Sequence, residues 1–239
     1  MEVKSFIENY RGAFGDYELP IAIWYSDQAI NPIEKTKGCF IGHLKPARQG
    51  GVVSLHVETV GCVGGKVYCG FTEAPPFIPG FVSGKERYKK TPEMVTQFID
   101  DLNLIDQSGK YIHFASIDQL ENFDNIEGLI FFASPDVLTG LISWVFYDTN
   151  APDAVTVPFG SGCSSIVSQT VVENRSNGQR TFLGLFDPSV RPHVEPDILS
   201  LSIPMSRFKT MYHTFNESCL SGAHAWGKVK NRIVHGEIG

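Results

Sequence analysis

Gly128 to Ala133 reads GLIFFA, six residues without a polar side chain, followed at once by Ser134-Pro135-Asp136. A run this short and this apolar, closed by a turn signal, is a strand buried on both faces. A strand covered on both sides needs helices above and below it, so this stretch demands a layered fold with a sheet inside. The following residues, Val137 to Tyr147, read as a helix with Ser134 as its cap. The apolar window Leu129 to Tyr147 is therefore a strand turning into a helix. Pro135, Asp136 and Gly140 exclude a membrane span.

The rest of the chain supplies partners for that strand. Leu19 to Tyr25, Val52 to Val60, Tyr111 to Ser116, Ala154 to Val157, Thr181 to Phe186 and Asp197 to Ile203 read as strands. Helices are predicted at Val3 to Phe14, closed by Gly15, and from Thr91-Pro92-Glu93 through Leu102. Others are predicted from the loop at 160 to about Val172, over Met205 to Phe215, and over Ala223 to Ile233. A helical pattern also starts at Gly38, where Pro46 is expected to disturb the last turn, and a turn leading into a helix start is expected at 61–70. The fold class is α+β: one domain over residues 1–239, with helices packed on a mixed β-sheet. Residues 74–90, APPFIPGFVSGKERYKK, carry three prolines and two glycines and are predicted as a mobile loop able to act as a lid.

Charge narrows the partners. With 20 Lys and Arg against 26 Asp and Glu the net charge is −6, and no basic run occurs, which speaks against nucleic acid and anionic membranes. The amphipathic start MEVKSFIENYRGAF lacks a signal peptide's apolar region, and five cysteines without a CxxC pair do not make a secreted disulfide framework. A cytoplasmic protein is expected. A homodimer through an apolar segment such as Ile142 to Tyr147 is a further expectation.

Chemistry concentrates between Pro158 and Arg191. Gly160-Ser161-Gly162-Cys163-Ser164-Ser165 reads as a loop feeding a helix, and a thiol at a helix N-terminus is biased toward thiolate. Cys163 is thus a candidate catalytic nucleophile, with His43, His56, His113 and His193 available as bases. The same loop, through Gly160, Ser161, Gly162 and Ser164, is a candidate small-molecule site in which Arg191 would hold an anion. Structural readings compete with both. Arg191 suits a salt bridge to Asp187 or Asp197, and Asp187-Pro188 is an ordinary turn opening. The loop is neither GxSxG nor a P-loop.

Cys39, Cys62, Cys69 and Cys163 each lie in or beside a glycine-containing turn, although Cys62-x6-Cys69 fits no zinc or ferredoxin spacing. Buried, inert thiols are the plainer reading. Four stretches together, GCFIGHLKPARQGG (38–51), GCVGGKVYCGF (61–71), PFGSGCSSIV (158–167) and LGLFDPSVRP (183–192), resemble the domain of unknown function 169 family, the ArCR-like proteins of bacteria and archaea. The resemblance spans nearly the whole chain but implies little about activity. In the family pattern a Cys stands at the positions of Cys39, Cys62 and Cys163, whereas Cys69 and Cys219 are peculiar to this chain and Val63 replaces a usual Pro. Three matching thiols imply a shared site, Cys39, Cys62 and Cys163, for an iron–sulfur cluster or another thiolate-bound metal. Three readings therefore stand side by side: a metal or cluster protein, a non-enzymatic anion-binding domain, and a thiol enzyme using Cys163. Whether the chain is an enzyme is left open by its sequence.

Overall fold

Strand β4, Gly128–Ala133, is buried at every residue and lies at the centre of a seven-stranded sheet among the described residues. The structure is a computed structural model and describes residues 1–31, 37–104 and 109–236. The other strands are β1 (Ile21–Ser26), β2 (Val52–His56), β3 (Tyr111–Ser116), β5 (Val155–Thr156), β6 (Thr181–Gly184) and β7 (Leu199–Pro204). They are arranged β2-β3-β1-β4-β7-β6-β5. Every neighbouring pair is antiparallel except the short parallel pairing of β5 with β6, so the sheet is mixed and the fold is α+β.

The period-two alternation of strand side chains builds two cores. Leu129, Phe131 and Ala133 of β4 join Leu201 and Ile203 of β7 on one face. That face is covered by α1 (Val3–Phe14), α6 (Pro135–Val145), α8 (Met205–Thr214) and α9 (His224–His235). Its centre is aromatic. Phe6 of α1 lies edge-on to Phe208 at 5.0 Å and to Phe215 at 5.9 Å, and Trp144 donates its ring N–H to the Met211 carbonyl at 3.0 Å.

Ile130 and Phe132 point to the opposite face, with Ile21 and Ile23 of β1 and Phe114 of β3. Here the cover is built from shorter pieces: a 3-10 turn at Phe40–Leu44 running into α2 (Lys45–Arg48), then α3 (Val63–Tyr68), then α7 (Gln169–Arg175). A π turn at Ser164–Ser168 leads into α7. Two further helices, α4 (Ile78–Phe81) and α5 (Pro92–Asp101), stand beyond them.

Local chemistry accounts for most boundaries. Thr91 Oγ1 accepts from the Met94 N–H, capping α5, and Pro92 stands in its first turn. Pro46 departs from its expected place. It stands in the first turn of α2, where its missing N–H costs nothing, because the preceding residues form a separate 3-10 turn. Strand β2 stops at His56 because the chain turns back there, with Thr59 N–H and Val60 N–H both donating to the His56 carbonyl. Residues 74–90 are more ordered in backbone pattern than a loop. They contain α4 and a π turn at Val82–Glu86, ended by Arg87 in the left-handed region at φ 58°. In the segment Ile142 to Tyr147, Trp144 and Val145 are buried in the chain's own core, while Phe146 and Tyr147 are exposed. No helix among the described residues is long and apolar enough to cross a membrane.

Candidate functional site

The short helices on the second face leave a cavity of about 480 Å³ between themselves. Cys39, Cys62 and Cys163 all line it, as do Gly160, Ser161 and Gly162. Each thiol arrives on a different element. Cys39 precedes the 3-10 turn, Cys62 caps α3 by accepting from the Gly65 N–H at 3.3 Å, and Cys163 lies at the start of the helical segment that becomes the π turn. The remaining wall comes from residues 77–89 and from α5, chiefly Phe77, Phe81, Tyr88, Val95 and Phe98. The loop at 160 packs tightly onto α5. A Cβ at Gly160 would stand 2.9 Å from Ser164 Oγ and 3.1 Å from Phe98 Cε1, so a side chain there would push the loop off the helix.

Asp187 fixes the floor. The residue is 1% exposed, and its carboxylate accepts the Gly162 N–H at the start of the helical segment. It also accepts the N–H groups of Ser189 (3.0 Å) and Val190 (3.2 Å) and the Ser189 hydroxyl. A carboxylate is therefore already seated where an anionic ligand was expected at the helix N-terminus. Arg191 does not line the cavity. Its guanidinium donates to the carbonyls of Leu185, Ile198, Glu195 and Pro196, binding one loop to another rather than pairing with Asp187 or Asp197. Ser164 is also turned inward, donating to the Ser161 carbonyl at 2.7 Å.

Cys39 and Cys163 are held protonated. Burial pushes the Cys39 thiol up to about 11, and the nearby Cys62 and Asp187 add to the rise. Burial drives Cys163 well above the ordinary thiol range, with the thiols of Cys69, Cys62 and Cys39 raising it further. The hydrogen bond between Cys163 Sγ and Ser161 Oγ, at 3.2 Å, pulls the other way and is outweighed. The thiolate bias expected of a helix start is thus overridden by desolvation. Among the described residues no histidine lines the cavity, so Cys163 has no imidazole base there. Among the same residues no three Cys, His, Asp or Glu side chains are grouped so as to hold a metal ion. The three thiols share a cavity without forming a ligand cluster.

Sequence reasoning found the thiols, the glycine-serine loop and residues 74–90 as a cover, but missed the aromatic wall that those residues build with α5. Its signals were present: Val95 and Phe98, three residues apart on a capped helix, and the aromatic residues Phe77, Phe81 and Tyr88 inside a stretch predicted as loop. The thiol-bearing turns and the Asp187 turn are also the stretches by which the chain is recognised, and the profile of the uncharacterised ArCR proteins, domain of unknown function 169, matches residues 16–214. The chain belongs to that family. The match takes in every element that lines the cavity and leaves out all of α1 and all of α9, which cover the other face. No curated protein and no solved structure matches this member of the domain of unknown function 169 family.

Proposed function

We propose that this family member is a small-molecule-binding domain whose ligand occupies the three-cysteine cavity. The observation that carries the reading is the cavity's composition: a volume of about 480 Å³ lined by aromatic and aliphatic side chains with a few polar groups among them. Sites for small ligands are apolar hollows of roughly 300–1,000 Å³ with a few placed polar atoms. Phe77 and Phe81 line this cavity yet are 58% and 44% exposed, so a ligand would cover apolar surface that the chain alone leaves wet. Residues 74–90 supply the lid in this reading. Cys39, Cys62 and Cys163 serve as soft, weakly polar wall groups, since Cys39 and Cys163 are kept neutral by burial and the cavity offers no imidazole base.

The test is to fill the cavity. Gly64 lines it, and a Cβ there would meet the Tyr68 ring at an ordinary 3.8 Å, so the first carbon of a larger side chain fits and Gly64→Phe is the variant chosen to fill the cavity. Nile red fluorescence should report saturable binding to the wild type and at least a ~tenfold loss in G64F, about 1.4 kcal/mol. Equal binding by both proteins, or none by either, would overturn the reading.

A further inference from the structure

We propose that the cavity takes an organic cation, an amine on an apolar body, whose N–H binds Asp187 Oδ2 and whose charge faces the aromatic walls. This rests on the cavity being a ligand site and adds the sign of the ligand's charge.

A carboxylate offers about four acceptor positions. Three of the bonds to Asp187 fall on Oδ1, from the Ser189 N–H, the Ser189 hydroxyl and the Val190 N–H. Among the described residues Oδ2 takes only the Gly162 N–H, which leaves an acceptor position on a buried, cavity-lining residue. Cys39, Tyr68 and Tyr88 are among the groups that feel the Asp187 charge. Among the described residues no Lys, Arg or His is ion-paired with Asp187, and the nearest candidate in sequence, Arg191, is engaged by four carbonyls. The charged lining is Glu86 and Asp187 against Lys89, two carboxylates to one ammonium. An anion entering here would meet a buried carboxylate, whereas a cation would gain a charge-assisted hydrogen bond.

Lys89 shows that the walls accept a cation. Its Nζ lies 5.4 Å from the Phe98 ring centroid and 5.9 Å from that of Phe159, both cavity-lining rings. The ammonium thus lies over two aromatic faces of the cavity wall. Lys89 is then a tethered competitor: removing its charge frees two rings and relieves like-charge repulsion. An anionic ligand would require the opposite, with Lys89 as its partner.

Isothermal titration of the full chain with phenylbutylamine, phenylbutanol and phenylbutanoate, which share one apolar body, separates these cases. The amine should bind at least ~tenfold more tightly than the alcohol, as expected for a hydrogen bond to a charged group, and the acid most weakly. Lys89→Gln should tighten the amine, and Asp187→Asn should abolish the amine's advantage over the alcohol. Because Asp187 also organises the loop, D187N is read only if its circular dichroism matches the wild type; K89Q carries the test if it does not. Amine and alcohol binding alike, the acid binding best, or K89Q weakening the amine would each overturn the cation assignment while the ligand site stands. Binding by none of the three would overturn both.

Discussion

His113 shows how one residue ties the sheet's polar edge to pH. It is fully buried in β3, stacked on Trp24 with ring centroids 4.9 Å apart, and its two ring nitrogens lie 2.8 Å from Ser26 Oγ and Ser54 Oγ. Burial lowers its pKa to about 4, so the folded protein holds it neutral. The unfolded chain binds the proton near pH 6.5. A base whose folded pKa is depressed contributes stability that is complete above the unfolded pKa and is lost as pH falls toward the folded one. Between pH 7 and pH 5 this group should therefore cost about 2 kcal/mol. Urea unfolding of wild type and His113→Asn at both pH values checks it: the wild type should lose about 2 kcal/mol more than the variant. Equal losses would contradict it. The sequence lists His113 among possible bases for Cys163, and nothing local in YIHFAS reveals that its partners are two serines from other strands. Long-range partners of this kind are set by register, which a single strand does not encode.

At the scale of elements, the π turn Ser164–Ser168 depends on small residues beneath it. Gly184 of β6 faces Ser165, and a Cβ there would lie 2.7 Å from Ser165 Cβ and 2.9 Å from Ser200 Oγ. Gly184→Ala should therefore force the turn outward and cost about 1–3 kcal/mol, as overpacking does. For a chain of this size a melting temperature lower by roughly 2–10 °C is expected, and an unchanged one would contradict the close approach. The elements themselves were largely legible. GLIFFA, the capped helix at Pro92 and the strand at Tyr111–Ser116 carry their own periodicity and punctuation. Less legible was the second face, where 3-10 and π turns and helices of four to seven residues are too short to show a 3.6-residue period. Pro46 and residues 74–90 belong to that face, and the cavity's aromatic wall was hidden for the same reason.

At the scale of the whole molecule, the two faces of the sheet divide the labour. One carries four of the chain's longer helices on an aromatic core. The other is covered in pieces, and imperfect cover is what leaves a cavity. The convergence of Cys39, Cys62 and Cys163 on that cavity follows from topology: their elements are far apart in sequence but share one side of one sheet. Matched thiols in the family's pattern pointed to a shared place. They did not reveal that burial would keep Cys39 and Cys163 protonated, because desolvation is a property of the packed chain rather than of local spacing.

The most direct measurement is methyl NMR of the full chain during titration with phenylbutanol. If the cavity is the ligand site, the methyl groups of Val63, Val82, Val95, Val190 and Ile78 should shift in a saturable way. Those of Leu201, Ile203 and Met205, in the core on the other face, should stay in place. Shifts absent from the first set, or appearing mainly in the second, would contradict a ligand site in the three-cysteine cavity.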